Sequence, residues 1–399
     1  MRTHHLLLAL GSVALLASAC EDSSNGASQD TDSTPATGSE TGADADTDAA
    51  SDTDTDTDTD GEPEPEPVNL DIDAYPFETL SEYNFFVGDL RDLVPNERVI
   101  PYTVAAPLWA DAADKGRYFV IPEGTTIGFT EQNEWAFPTG TVFIKNFFFD
   151  LDRGPAEDLR VIETRLLVLE ASGQWQSYGY IWDDEQIEAE QTKAGADVFV
   201  DFIDASGNAQ SQLYIVPDQN VCESCHQRDD ATLILGPTTR QMNTTWAIEG
   251  DTEVNQIDWL AEHGFFDGEV PDASELPALA DPAGDASLDA RARAYLHGNC
   301  AHCHRPGGAG GSSGLKFTVW EDNPADFGVC KLPAAAGPGA GGRSYDIWPG
   351  RPEDSIIPYR MASEDPEVKM PELPSLLADD FGVSLIEEWI TQMPGEDCE

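Results

Sequence analysis

Apolar residues are distributed along this chain in four regimes. The first is a continuous run from Leu6 to Leu16, preceded by Met1-Arg2-Thr3-His4-His5. It is too short for a bilayer-spanning helix, which needs about 20 residues, and it suits the apolar core of a signal peptide. The second regime, residues 21–67, contains almost nothing apolar. In the third, from about Arg98 to Val216, short runs rich in β-branched and aromatic residues follow one another: Arg117–Ile121, Thr141–Phe149, Val161–Leu169 and Trp175–Trp182, with a last run at Leu213–Val216. Turn residues such as Pro138-Thr139-Gly140 and Ser172-Gly173 separate them. This pattern predicts an antiparallel, β-sandwich-like domain, with Trp109, Trp135, Phe147 and Trp182 as core. The fourth regime has helical spacing. A helix is predicted from Leu288 to about His297, capped by Asp285 or Ser287, with Leu288, Ala292, Tyr295 and Leu296 on one side and Gly298-Asn299 ending it. An amphipathic helix is predicted over Val383–Ile390, burying Leu385, Ile386, Trp389 and Ile390. Shorter helical segments are predicted at Ile257–His263 and from Asp354 to Met361.

The fold class read from this pattern is α+β and multidomain. A signal peptide (1–20) and an acidic linker (21–67) precede a β-rich domain (68–216), a connecting segment (217–284) and a C-terminal helical domain (285–399). Ala17-Ser18-Ala19-Cys20 resembles the lipobox of bacterial lipoproteins, with Ala17 where Leu is usual. Cys20 is therefore the expected lipidation site, and ordinary signal cleavage is the alternative. Residues 21–67 carry sixteen acids and no Lys or Arg, in Asp-Thr and Glu-Pro repeats. Such a segment lacks a core to offset its ordering entropy, and its like charges repel. A disordered spacer holding the folded part off a membrane is expected; the loop spacing of a calcium-binding repeat is missing. The net charge is −54 over 399 residues, and most of it lies beyond the spacer. Nucleic acid is excluded as a partner, because phosphate binding needs clustered Lys and Arg. An acidic surface steers basic partners or simply reflects solvation.

Cys, His and Met are absent from Glu21 to Val221 and gather after it. Two pairs of cysteines are each followed at once by histidine: Cys222-Glu-Ser-Cys225-His226 and Cys300-Ala-His-Cys303-His304. Two thiols at this spacing at the start of a helix reach the two vinyl groups on one edge of a porphyrin, and the next imidazole then ligates the iron. Two covalent haem c groups are expected, with Cys222, Cys225, Cys300 and Cys303 as anchors and His226 and His304 as proximal iron ligands. A zinc site is disfavoured, because its second CxxC usually follows within about 15–20 residues. A thioredoxin-like CxxC does not account for the histidines. Cys330 and Cys398 remain, and in an oxidising envelope a leftover pair is most simply a disulfide; two separate buried thiols are the alternative.

Around the second motif the pattern is that of a small helical domain, with a Gly-rich loop from Pro306 that lets backbone pass close to a porphyrin edge. Its distal ligand is expected between that loop and the last helix. Met370, held in extended chain by Pro371, suits a loop over the distal face. Met361 suits a core position. The stretch from Leu288 through Cys300–His304, Gly350–Ser355, Arg360-Met-Ala-Ser and Met370-Pro-Glu to Glu388-Trp-Ile resembles the class I cytochrome c domain of bacterial envelope cytochromes. From about Leu80 to Cys398, including Pro101–Leu108, Asn220–His226 and Gly328-Val-Cys330-Lys, the chain resembles a family of dihaem c-type cytochromes of Gram-negative bacteria. That resemblance implies haem binding and electron transfer.

For the first haem the distal ligand stays open between Met242, His263, an unnamed residue and a vacant position. The expected activity is single-electron transfer with a redox partner protein in the cell envelope of a Gram-negative bacterium, on the periplasmic side or the outer surface, with the membrane reached through the lipid anchor. A haem enzyme, peroxidase-like or substrate-oxidising at an open first haem, is the main alternative, and a haem-free zinc or structural lipoprotein is the third. Without Cys, His or Met the β-rich part has no soft-metal centre; it could dock a partner or bind a carbohydrate.

Overall fold

The β-branched and aromatic runs fold into one antiparallel sheet in which each strand pairs with the next: β1 (Ile100–Pro101), β2 (Asp114–Val120), β3 (Val142–Asp150), β4 (Leu159–Leu169), β5 (Trp175–Trp182) and β6 (Ala189–Thr192). A hairpin of β7 (Ala196–Ile203) and β8 (Ala209–Val216) forms a separate two-stranded sheet. The computed structural model describes residues 65–399 apart from 133, 153–157, 205–206, 230, 249–251, 335, 373–374, 396 and 399. The signal peptide, Cys20 and almost all of the acidic spacer lie outside the described residues.

The expected sandwich is corrected by what covers the sheet. On one face Tyr118, Ile144, Leu166 and Tyr180 pack against Leu80, Tyr83, Phe85 and Leu93 from the irregular segment before β1. On the other face Phe119, Phe143 and Leu167 meet Met242, Ile257 and Leu260 from the segment after β8. Further along that face Phe147, Phe149 and Ile162 pack against Val200, Tyr214 and Val216 of the hairpin. No second large sheet is needed, because irregular chain buries one side, and the segment after β8 together with the β7–β8 hairpin buries the other. This explains why Val142–Phe149 is almost continuously apolar: successive residues feed opposite faces, and both faces are covered. Each buried Phe contributes about 2–3 kcal/mol of transfer free energy, enough to override strict polar alternation.

Among the described residues six α-helices follow the sheet: α1 (Gln219–His226), α2 (Thr239–Met242), α3 (Gln256–Glu262), α4 (Leu288–Asn299), α5 (Ile356–Met361) and α6 (Asp380–Gln392). Of the two candidate caps for α4, Ser287 performs the task, accepting the Ala290 N–H at 3.3 Å. Helices α4 and α6 pack through Ala292, Tyr295, Leu296, Leu385, Ile386 and Trp389, and Trp389 Nε1 donates to Asp289 at 2.9 Å. Cys330 and Cys398 are bridged, with a sequence separation of 68, which ties the chain end to the loop before α5.

Gly298 and Asn299 do not end α4, which runs through Asn299. Gly298 lies directly on the Ala106 carbonyl, where a Cβ would collide. Asn299 accepts the Trp109 N–H at 2.7 Å and donates to the Pro107 carbonyl at 3.3 Å. Both residues serve contact between α4 and the chain leading into β2, and neither is a helix stop. Asp111, in that same stretch, accepts the N–H groups of Leu376 and Leu377 at 2.6 and 3.1 Å. Residues 65–399 accordingly belong to one contact unit, with the boundaries at 216 and 284 inside it. Among the described residues no helix is long and apolar enough to cross a membrane.

Candidate functional site

The first CxxCH motif is set by the exit from β8. Pro217 ends the strand, Asp218 caps α1 by accepting the Val221 N–H at 3.1 Å, and Cys222, Cys225 and His226 occupy the last turns of that helix. The motif therefore ends a helix and does not start one. Chain reversal through a tight pair, Gln227–Arg228 with Ala231–Thr232, returns the Leu233 carbonyl to His226, whose Nδ1 lies 2.8 Å from it. A carbonyl only accepts, so Nδ1 carries the proton and Nε2 keeps a lone pair. Burial pulls the His226 pKa down to about 4, with the Lys145 charge adding to the shift, so the ring is neutral at ordinary pH.

The second motif follows α4 and lies in a series of turns, so it too fails to start a helix. Cys300 donates its N–H to Leu296, and His304 donates to the Cys300 carbonyl at 2.8 Å. His304 Nδ1 is 3.0 Å from Ser313 Oγ. That hydroxyl gives its proton to the Gly310 carbonyl at 2.7 Å and accepts the Leu315 N–H at 3.2 Å, so the imidazole is the donor. Again Nε2 is left with a lone pair. Burial is the main cause holding the His304 pKa down at about 4. The Gly-rich loop runs close to the imidazole: a Cβ at Gly310 would sit 3.0 Å from the His304 ring.

The fold brings the two motifs together although 73 residues lie between Cys225 and residue 299. The Cys225 thiol lies near enough to the Cys303 thiol and to His302 for both to act on its titration. Those contacts hold the Cys225 thiol below its ordinary range, while the same contact pushes Cys303 up. Cys222, Cys225, Cys300 and Cys303 form no disulfides. A cavity of about 250 Å3 opens beside the first motif, lined by Cys222, Cys225 and His226, and by Ala301, His302 and Arg305 of the second. Counting its open mouth, the cleft encloses about 2000 Å3 of free space. Cys300, Cys303 and His304 are not part of its lining; His304 lies against Phe317, with ring centroids 5.3 Å apart.

Neither named distal candidate for the first motif lines the cavity. Met242 is 1% exposed, in the core between the sheet and α3. His263 is an exposed residue at the end of α3, stacked on Trp259 at 4.0 Å and bonded to its carbonyl. Met361 is core, packed with Ile357 and Trp389. Met370 is half-buried, its N–H bonded to the Arg360 carbonyl at 3.0 Å. The loop after it is drawn around the Lys369 ammonium, which donates to the carbonyls of Pro371, Glu372 and Ser375 at 2.9, 2.5 and 2.6 Å. Pro371 and Ser375 reach the cavity wall, and the Glu372 charge acts on Cys303. The Met370 loop is thus close to both motifs.

Several site residues escape a motif reading. His302, inside the second motif, and His297, one helical turn before Cys300, both line the cavity of the first. His297 Nδ1 accepts the Val319 N–H at 3.3 Å, so its proton sits on Nε2. Trp109, which the sequence pattern placed in the core, lines the cavity; Trp135, Phe147 and Trp182 are buried, and Phe147 also reaches the cavity wall. Arg117, Lys145 and Arg165 project from the sheet into the same space. Three cations in the middle of apolar strands were the available signal.

The surroundings fit covalent haem c. Both motif imidazoles keep Nε2 unprotonated, which is the state an iron ligand requires. Arg305 follows the second motif directly, and its Nε and Nη2 are buried without a hydrogen-bond partner where an anionic propionate would satisfy them. Among the described residues no cluster of three or more His, Cys, Asp or Glu is arranged to hold a bare metal ion. No protein-family model, curated protein or solved structure matches this chain.

Proposed function

We propose that this chain is a dihaem c-type cytochrome that passes single electrons in the cell envelope. On this reading Cys222 with Cys225, and Cys300 with Cys303, hold the two haem c groups, and His226 and His304 ligate iron. Met370 is the distal ligand of the second haem, and residues 285–399 are its cytochrome c domain. The observation that carries the reading is the tautomer of the two histidines. In each motif Nδ1 is tied to an oxygen, at 2.8 Å and 3.0 Å, leaving Nε2 as ligand. Haem iron supplies reversible one-electron chemistry over a wide range of potentials. The protein's part is to fix the two imidazoles, keep them neutral by burial, and set the motifs in contact at Cys225 and Cys303.

The remaining expectations belong to the same proposal: export, lipidation at Cys20, membership of the Gram-negative dihaem family, and a redox partner reached from an acidic surface. A spectroelectrochemical titration of the mature protein tests it. Two one-electron waves in the haem bands are expected; a preparation without haem bands after expression with the attachment machinery would rule the reading out. A second reading, a haem enzyme, is favoured by the removal of Met242 and His263 from the first cavity. It predicts a high-spin ferric fraction and carbon monoxide binding to the reduced first haem.

A further inference from the structure

Three cations stand side by side on the sheet next to the first motif. Arg117 of β2 is the register partner of Lys145 of β3, and Lys145 is the partner of Arg165 of β4. Partners share one face of a sheet, with Cβ atoms about 4.5–5.5 Å apart, and like charges placed so are destabilising. Gly179 of β5, opposite Arg165, continues the row without a side chain and leaves room in front of it. All four residues line the cavity that holds Cys222 and His226.

The protein neutralises only part of this charge. Arg165 forks onto Glu163 at 2.7 and 2.5 Å, and Glu163 also accepts the Tyr214 hydroxyl at 2.8 Å. The other carboxylate of the wall, Asp111, is committed to backbone N–H groups. Among the described residues the Arg117 side chain has no hydrogen bond or ion pair, and Lys145 has only the Phe147 ring, 4.8 Å from its Nζ. Arg305 adds a guanidinium whose Nε and Nη2 are without partners; its nearest carboxylate, Glu134, is 3.9 Å from Nη1. In a chain with 75 acidic residues, a cationic row in which only Arg165 has a carboxylate partner favours an anion from outside the polypeptide, because partly desolvated charges are costly when unpaired.

We propose that Arg117 and Lys145, flanked by Arg165 and Arg305, form a binding site for a carboxylate. A guanidinium fork matches a carboxylate in two parallel hydrogen bonds, and the ammonium serves as a point charge beside it. Two sources supply that group: the propionates of the first haem, a case that rests on the haem reading above, or a small diffusible carboxylate entering through the mouth of the cleft.

The test compares the mature full-length protein, with haems counted by pyridine haemochrome, to Arg117→Gln, Lys145→Gln and the charge-keeping Arg117→Lys. Lys145→Met, which keeps the stem, stands in if Lys145→Gln does not fold. If propionates occupy the site, the neutral variants lower the reduction potential of one haem, since lost positive charge favours the ferric state. Arg117→Lys then stays near wild type, and added succinate changes nothing. If the carboxylate is diffusible, succinate raises the wild-type melting temperature above a chloride control of equal ionic strength. Its affinity then falls about 30-fold in the neutral variants and recovers in Arg117→Lys. Neutral variants that melt higher than wild type, with unchanged potential and unchanged response to succinate, would overturn the proposal, because removal of a truly unpaired buried charge is stabilising. The haem count is read separately, so in a haem-free chain the succinate arm alone decides the site.

Discussion

The same five-residue motif is mounted on two different supports, and the contrast separates what a motif carries from what a fold adds. At Cys300–His304 the support is local. Helix α4 precedes the motif, Ser313 fixes the imidazole from nine residues away, and the surrounding core joins α4, α5 and α6. At Cys222–His226 the imidazole is also fixed locally, by Leu233. The wall facing it, however, comes from β2, β3 and β4, far back in the chain, and is cationic. Ligand chemistry is therefore alike at the two motifs, while electrostatics differ. Were haem bound there as proposed, a cationic wall would favour the reduced, less positive iron; it favours any bound anion in either case.

Four perturbations sharpen this comparison. The largest effect is expected from replacing one thiol pair at a time. Cys222→Ala with Cys225→Ala, or Cys300→Ala with Cys303→Ala, should each remove one covalent haem by mass and leave the other; loss of both haems from a single pair would mean that the supports are not independent. Next comes the bridge of the C-terminal region. Replacing Cys330 and Cys398 by Ala should cost about 4 kcal/mol, the loop-closure expectation for the separation of 68, read by denaturant unfolding, with the spectrum of the first haem unchanged. Third, the two methionines should part company. Met361→Ala should cost about 3 kcal/mol as a core truncation without altering haem ligation. Met370→Ala should change the second haem's spectrum and lower its potential with little loss of stability. Equal spectral effects from both would contradict the assignment.

The smallest effect is a pH slope. Burial, with the neighbouring Arg305 and Arg240 charges, pulls the His297 pKa down to about 4. In the unfolded chain it binds its proton near 6.5, so between those values the unfolded state holds more protons. Stability should therefore fall as pH drops from about 6.5 to about 4, by on the order of 2 kcal/mol for this residue. His297→Gln should flatten that slope in urea titrations at successive pH values.

What was legible in the sequence follows the range of the forces involved. Strands β3, β4 and β5 and helices α4 and α6 were visible because periodicity is local, and their observed limits lie within a few residues of the expected ones. The sandwich was not, because alternation tells that a face is buried and not by what; here irregular chain at Leu80–Val99 does what a second sheet would have done. Gly298-Asn299 read as a helix stop from local propensity, and tertiary contacts with Ala106 and Trp109 overrode it. At the site, the two Cys-x-x-Cys-His motifs, whose roles as haem anchors and proximal ligands belong to the proposal, were readable from spacing alone. His302, Trp109 and the row Arg117–Lys145–Arg165 were not, since their meaning depends on strand register and on the meeting of segments distant in sequence. Met242 and His263 were plausible by residue type and separation, yet core packing claims the first and stacking on Trp259 the second.

The central claim is that both motifs hold haem covalently, and intact mass spectrometry of the mature protein, combined with peptide mapping, tests it most directly. Two added macrocycles are expected, one on the peptide bearing Cys222 and Cys225 and one on that bearing Cys300 and Cys303. An unmodified mass, or a disulfide joining Cys225 to Cys303 in place of the thioethers, would contradict it.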